Sequence, residues 1–135
     1  MPFFLKAYLV AAAIFLPLDF AWLGWVAADL YKAAIGPLLL EQPRLGVAAG
    51  FYLLYVVGLV HFAIRDPRDD AAKPVPVALR DGALFGAFCY MTYDLTNLAT
   101  LKGYTPALAL ADIAWGTSVS AVTAGASALI LRRRG

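Results

Sequence analysis

Apolar residues fall in four long runs, Phe3 to Ala28, Leu45 to Ile64, Gly82 to Leu101 and Pro106 to Leu131, each interrupted by only a few polar groups. None shows the half-polar stripe of a water-facing helix. A helix rises ~1.5 Å per residue, so ~20 residues cross a hydrocarbon core of ~30 Å. Every run meets that length, and the first and fourth have residues to spare for tilt or projection. The pattern predicts an all-α fold, an integral membrane bundle of four transmembrane helices forming a single domain over residues 1–135. Phe3 to Ala28 is too long for the apolar part of a secretory signal and has no small-residue cleavage site, so it is read as a retained span.

The breaks between runs divide the chain further. Asp66-Pro67 and Lys73-Pro74-Val75-Pro76 favour turn and extended backbone, which makes the middle loop a linker between two helical hairpins. Asp29 to Leu40 alternates polar groups with Tyr31, Ile35 and Leu38 ahead of the breaker cluster Glu41-Gln42-Pro43-Arg44, a pattern shared by a short interfacial helix and an ordered loop. Pro17 removes a helix hydrogen bond to Ala13 and predicts a kink just before Asp19. Gly46 with Gly50, and Gly82 with Gly86, have the spacing that permits close helix approach, within one chain or between chains.

Composition agrees with lipid as the solvent, since 62% of the 135 residues are apolar and only 15% are charged. Charge then orients the chain. Lys6, the loop residues Arg65, Arg68, Lys73 and Arg80, and Arg132, Arg133 and Arg134 would share one side, while Lys32, Arg44 and Lys102 would face the other. Both termini are therefore expected to be cytoplasmic, in a bacterial inner membrane. With no long basic face, nucleic acid is not an expected partner; membrane lipids are. The single cysteine, Cys89, excludes an intrachain disulfide.

Three carboxylates inside the predicted spans carry the functional information: Asp19, Asp94 and Asp112. An aspartate near mid-membrane costs at least ~2.5 kcal/mol, so such residues face the bundle interior, pair with one another or line a wet cavity. Counting back along the helices puts Asp94 and Asp112 ~10 Å, and Asp19 ~13 Å, below the outer surface, in one layer. Tyr90 and Asn97 flank Asp94 about one turn away on the same helix face, with Tyr93 beside it. Trp22 follows Asp19 by three residues and Trp115 follows Asp112 by three, so each indole shares its aspartate's face. The repeated Asp-x-Ala-Trp pattern lies on helices that run antiparallel, and similar demands at one layer explain it without duplication. His61 is expected at the opposite membrane side, which argues against a His-carboxylate metal site. An all-oxygen site for a hard cation is the one metal reading left. The sequence has no phosphate-binding glycine loop or haem-attachment motif, so no cofactor is expected.

Asp19-x-x-Trp22, Tyr93-Asp94-Leu95-Thr96-Asn97-x-Ala99-Thr100 and Asp112-x-x-Trp115-Gly116 together resemble the small bacterial membrane proteins of domain of unknown function 2177. The resemblance covers essentially the whole chain. It implies a four-helix inner-membrane protein and the same site residues, with no chemistry attached.

The polar layer is compatible with three roles. Asp19, Asp94 and Asp112 with Trp22, Trp115, Tyr90, Tyr93 and Asn97 form a pocket for a small or lipid-like molecule, with an aspartate available for proton transfer to it. Alternatively, the carboxylates carry protons in a transporter that works as a homodimer. In the third reading, the layer is interhelical glue in an assembly partner of another membrane protein.

Overall fold

The computed structural model describes residues 1–134 of the backbone; the side chains of Arg133 and Arg134, which the charge asymmetry uses, lie outside the described set, as does Gly135. Five helices follow one another: α1 (Phe3–Ala21), α2 (Ala28–Ile35), α3 (Leu45–Leu59), α4 (Val75–Thr100) and α5 (Pro106–Arg134). A π-helical turn extends α1 over Trp22–Val26, and a second extends α3 over Val60–Ile64. In the first, the Ala27 N–H reaches back five residues to the Trp22 carbonyl at 2.7 Å. Such turns are frequent at functional sites. Helix α1 runs through Pro17 unbroken, and its departure from α geometry comes only at Trp22–Val26.

Among the described residues, three helices are long and apolar enough to cross a membrane: Phe3–Val26 (24 residues), Leu45–Ile64 (20) and Pro106–Arg132 (27). Helix α4 has the length, at 26 residues, but Arg80, Asp81 and Asp94 interrupt its apolar character. The expected third span is thus the one of the four that does not meet this measure among the described residues.

Buried positions recur at intervals of four, and this spacing sets the architecture. On α1 they are Ala7, Ala11, Phe15 and Asp19; on α4, Ala78, Gly82, Gly86 and Asp94. On α5, Leu108, Asp112, Ser120, Ala124 and Ala128 are buried, all between 0% and 3% exposed. Residues four apart share a helix face, so on each of these helices an aspartate lies in a seam of mostly small residues. The small residues let α4 and α5 pack very closely. A Cβ on Gly82 would stand 2.6 Å from the Ser120 carbonyl oxygen, and one on Gly86 would stand 2.3 Å from that of Gly116. The Gly82 and Gly86 pair is therefore a seam within the chain, whereas Gly46 and Gly50 meet nothing within 4 Å.

The connections hold the two hairpins in register. In the middle loop, Asp66 N–H bonds the Ala71 carbonyl (2.9 Å) and Lys73 N–H that of Ile64 (2.7 Å). The Lys73 ammonium donates to the Phe62 carbonyl at 2.7 Å and to Asp81 Oδ2 at 2.8 Å, fastening the end of α3 to the start of α4. Lysine at a helix C-terminus also complements the helix dipole. At the other end of the bundle, Thr105 caps α5 by accepting the Leu108 N–H at 3.1 Å, with Pro106 as the first helical residue. The turn before it uses Gly103 at φ +84°, against the Ala34 carbonyl of α2. A small cluster of Ile35, Tyr104, Leu108 and Ala109 holds α2 over this end, so the segment with two readings is a helix.

Candidate functional site

The three aspartates are almost fully buried: Asp94 is 0%, Asp112 3% and Asp19 4% exposed. Their donors come from other elements. Trp115 Nε1 on α5 donates to Asp19 Oδ1 on α1 at 2.9 Å, and Trp22 Nε1 at the end of α1 donates to Asp112 Oδ1 on α5 at 3.2 Å. Each indole thus serves the aspartate of the opposite helix. Between them the rings stack with centroids 5.1 Å apart and planes within 5° of parallel, a contact that adds roughly 0.5–1.5 kcal/mol beyond area burial. The π turn positions Trp22 for this exchange.

Asp94 is held differently. The Tyr104 hydroxyl from the α4–α5 turn donates to its Oδ1 at 2.5 Å, while Oδ2 has no hydrogen-bond partner. Asp112 is the neighbouring carboxylate. Tyr90 completes the layer from α4. Its hydroxyl lies 3.4 Å from Asp19 Oδ1, and its ring fills the space above Gly116, where a Cβ would stand 2.1 Å from it.

A cavity of about 530 Å³ opens beside the layer, between α1, α2, α3 and α4. Asp19 and Asp112 line it, with Trp22, Tyr31, Tyr52 and Tyr90 among its aromatic walls and Lys32 also on the wall. This volume lies within the ~300–1,000 Å³ range of ligand pockets. Burial raises the Tyr31 phenol above its ordinary pKa and the charge of Asp112 raises it further. Burial also raises the Tyr104 phenol, and the hydrogen bond to Asp94 adds to it. Both remain hydrogen-bond donors at neutral pH.

The family model for domain of unknown function 2177 (DUF2177), described as a predicted membrane protein, matches residues 4–129. The chain belongs to this family. No curated protein and no solved structure matches it.

In this DUF2177 protein, five of the eight residues singled out by sequence, Asp19, Trp22, Tyr90, Tyr93 and Asp112, lie on the cavity wall. Trp115 and Asp94 do not line it, and Trp115 holds Asp19 through its indole N–H. Asn97 is half-buried beside Tyr93 and does not line the cavity. Sequence reasoning missed Tyr52 and Tyr55 of α3, which lie three residues apart on an apolar helix. That spacing was the available signal. Tyr55 lines the cavity and shares a hydrogen bond of 2.8 Å with Ser120. Tyr104 was also missed, and only the turn geometry brings it to Asp94. Among the described residues, no group of three His, Cys, Asp or Glu side chains is placed to hold a metal ion.

Proposed function

We propose that this DUF2177 protein is a multi-pass protein of the bacterial inner membrane whose polar layer forms a binding pocket for a small or lipid-like molecule. The observation that carries this reading is the cavity of about 530 Å³ with two buried carboxylates on its wall. A layer serving only as glue has no need of an aromatic-walled cavity against it. In this reading α4 is the third of four spans, with Asp94 buried inside the bundle, and both termini are cytoplasmic, as the Lys and Arg asymmetry favours. The pocket then opens in the outer half of the bilayer. Any chemistry on the ligand falls to Asp19 or Asp112, the carboxylates that reach the cavity.

Native mass spectrometry of protein extracted gently from its own membrane tests the proposal. Wild type is expected to retain a small molecule or lipid that is lost in Asp19→Asn. Bare spectra for both proteins, with only lower thermal stability in the variant, would return the layer to a structural role.

A further inference from the structure

We infer that the pocket is selective for an organic ammonium group carried by an amphiphile, with a lipid-borne phosphate seated on Lys32; this deepens the proposed binding function and rests on it.

The first argument is charge. Asp19, Asp94 and Asp112 are buried together, and none has a Lys, Arg or His partner among the described residues. Buried carboxylates are compensated by protons, by a metal ion or by a cation. Only neutral donors reach them among the described residues: Trp115 and Tyr90 for Asp19, Trp22 for Asp112 and Tyr104 for Asp94. A metal ion needs several ligands converging on a point, and among the described residues no three His, Cys, Asp or Glu side chains do so. A monovalent ammonium ion has no such geometric demand.

The second argument is the wall. Trp22, Tyr31, Tyr52 and Tyr90 present aromatic rings around the space that Asp19 and Asp112 face. Aromatic faces attract cations and repel anions, and an aromatic cage with a nearby carboxylate recognises ammonium groups. An anionic headgroup would meet repulsion from both.

The mouth supplies the third. Lys32 lines the cavity, is exposed, and forms no ion pair among the described residues. Its cation suits the phosphate that follows the ammonium group in a zwitterionic headgroup. Leu23 and Phe51, 39% and 57% exposed, flank the opening and offer an apolar track for the chain.

The test uses full-length protein in nanodiscs containing equal parts phosphatidylethanolamine and phosphatidylglycerol, read by native mass spectrometry. Wild type is expected to retain phosphatidylethanolamine over phosphatidylglycerol by about tenfold, the discrimination of one charge-assisted interaction. Asp112→Asn should remove the preference. Lys32→Ala, an exposed change that leaves the fold intact, should weaken retention several-fold, which keeps the test decisive if Asp112→Asn fails to fold. Competition with soluble ethanolamine separates the sources. Displacement of the lipid by free amine would support ammonium recognition with the chain incidental; resistance to it would support recognition of the whole amphiphile. Equal retention of the two lipids would overturn the ammonium inference while leaving a lipid pocket in place. Retention of neither, with no other bound molecule, would overturn both.

Discussion

Gly86→Ala tests the packing that brings the aspartates to one level. A methyl group there would stand 2.3 Å from the Gly116 carbonyl oxygen and 2.6 Å from Ser120 Oγ. Ordinary contact begins near 3.4 Å, so the nearer clash is short by about 1 Å, and its partner is backbone that no side-chain rotation can move. Overpacking of this kind costs about 1–3 kcal/mol, against at most ~1 kcal/mol gained from the better helix propensity of alanine. The net expectation is destabilisation of about 1–2 kcal/mol. Gly50→Ala is the matched control, since nothing lies within 4 Å of its position, and it should be neutral or gain up to ~1 kcal/mol. Equilibrium unfolding in mixed micelles, followed by tryptophan fluorescence, gives both values. If Gly86→Ala proves as stable as Gly50→Ala, the α4–α5 seam is not packed as described.

Three further predictions rest on the polar groups. Trp115→Phe removes the 2.9 Å bond to Asp19 and should cost ~1–3 kcal/mol in the same unfolding assay, more than Trp22→Phe; the double variant should depart from additivity by at least ~0.5 kcal/mol through the stacked rings. Asp94→Asn should stay within ~1 kcal/mol of wild type because its amide oxygen can still accept from the Tyr104 hydroxyl, whereas Asp94→Leu, which strands that hydroxyl, should lose ~1–3 kcal/mol; equal melting of the two variants would contradict that bond. Partial burial raises the Asp81 carboxyl, but hydrogen bonds and charge from Lys73 and Arg80 outweigh it and hold its pKa below the usual carboxylate range. Its contribution to stability is therefore full above the ordinary pKa of ~3.9 and lost as pH falls through the lower folded value, so the melting temperatures of wild type and Asp81→Asn should converge in acid.

Much of the fold can be read from the sequence because lipid-facing helices need continuous apolar runs, and the run boundaries fall within a few residues of α3 and α5. The start of α4 differs more. Pro74 and Pro76 make Val75–Leu79 read as linker, yet proline is tolerated in a helix's first turn, where its missing N–H is not needed. The three aspartates stand out because charge inside an apolar run is costly. Tyr52, Tyr55 and Tyr31 do not, since tyrosine is ordinary at membrane interfaces and within apolar helices. Whether such a residue faces a cavity or lipid depends on helix rotation, which a uniformly apolar sequence does not encode. Likewise, the i,i+3 spacing of Asp19 with Trp22 placed both on one face but left open that each indole serves the opposite helix.

That exchange makes the structural and binding roles of the layer inseparable at Asp19 and Asp112. Bonds from Trp115 to Asp19 and from Trp22 to Asp112 tie the first hairpin to the second, while the same two carboxylates line the cavity. Losing either carboxylate weakens the bundle and changes the pocket together, so a fall in activity alone assigns neither role. The roles separate at the neighbours. Trp115 holds Asp19 from behind and does not line the cavity, whereas Lys32 lines the cavity and makes no ion pair among the described residues. A binding site therefore predicts opposite profiles: Trp115→Phe lowers stability first, and Lys32→Ala lowers ligand retention with stability unchanged. A layer that is only glue predicts that Lys32→Ala does nothing.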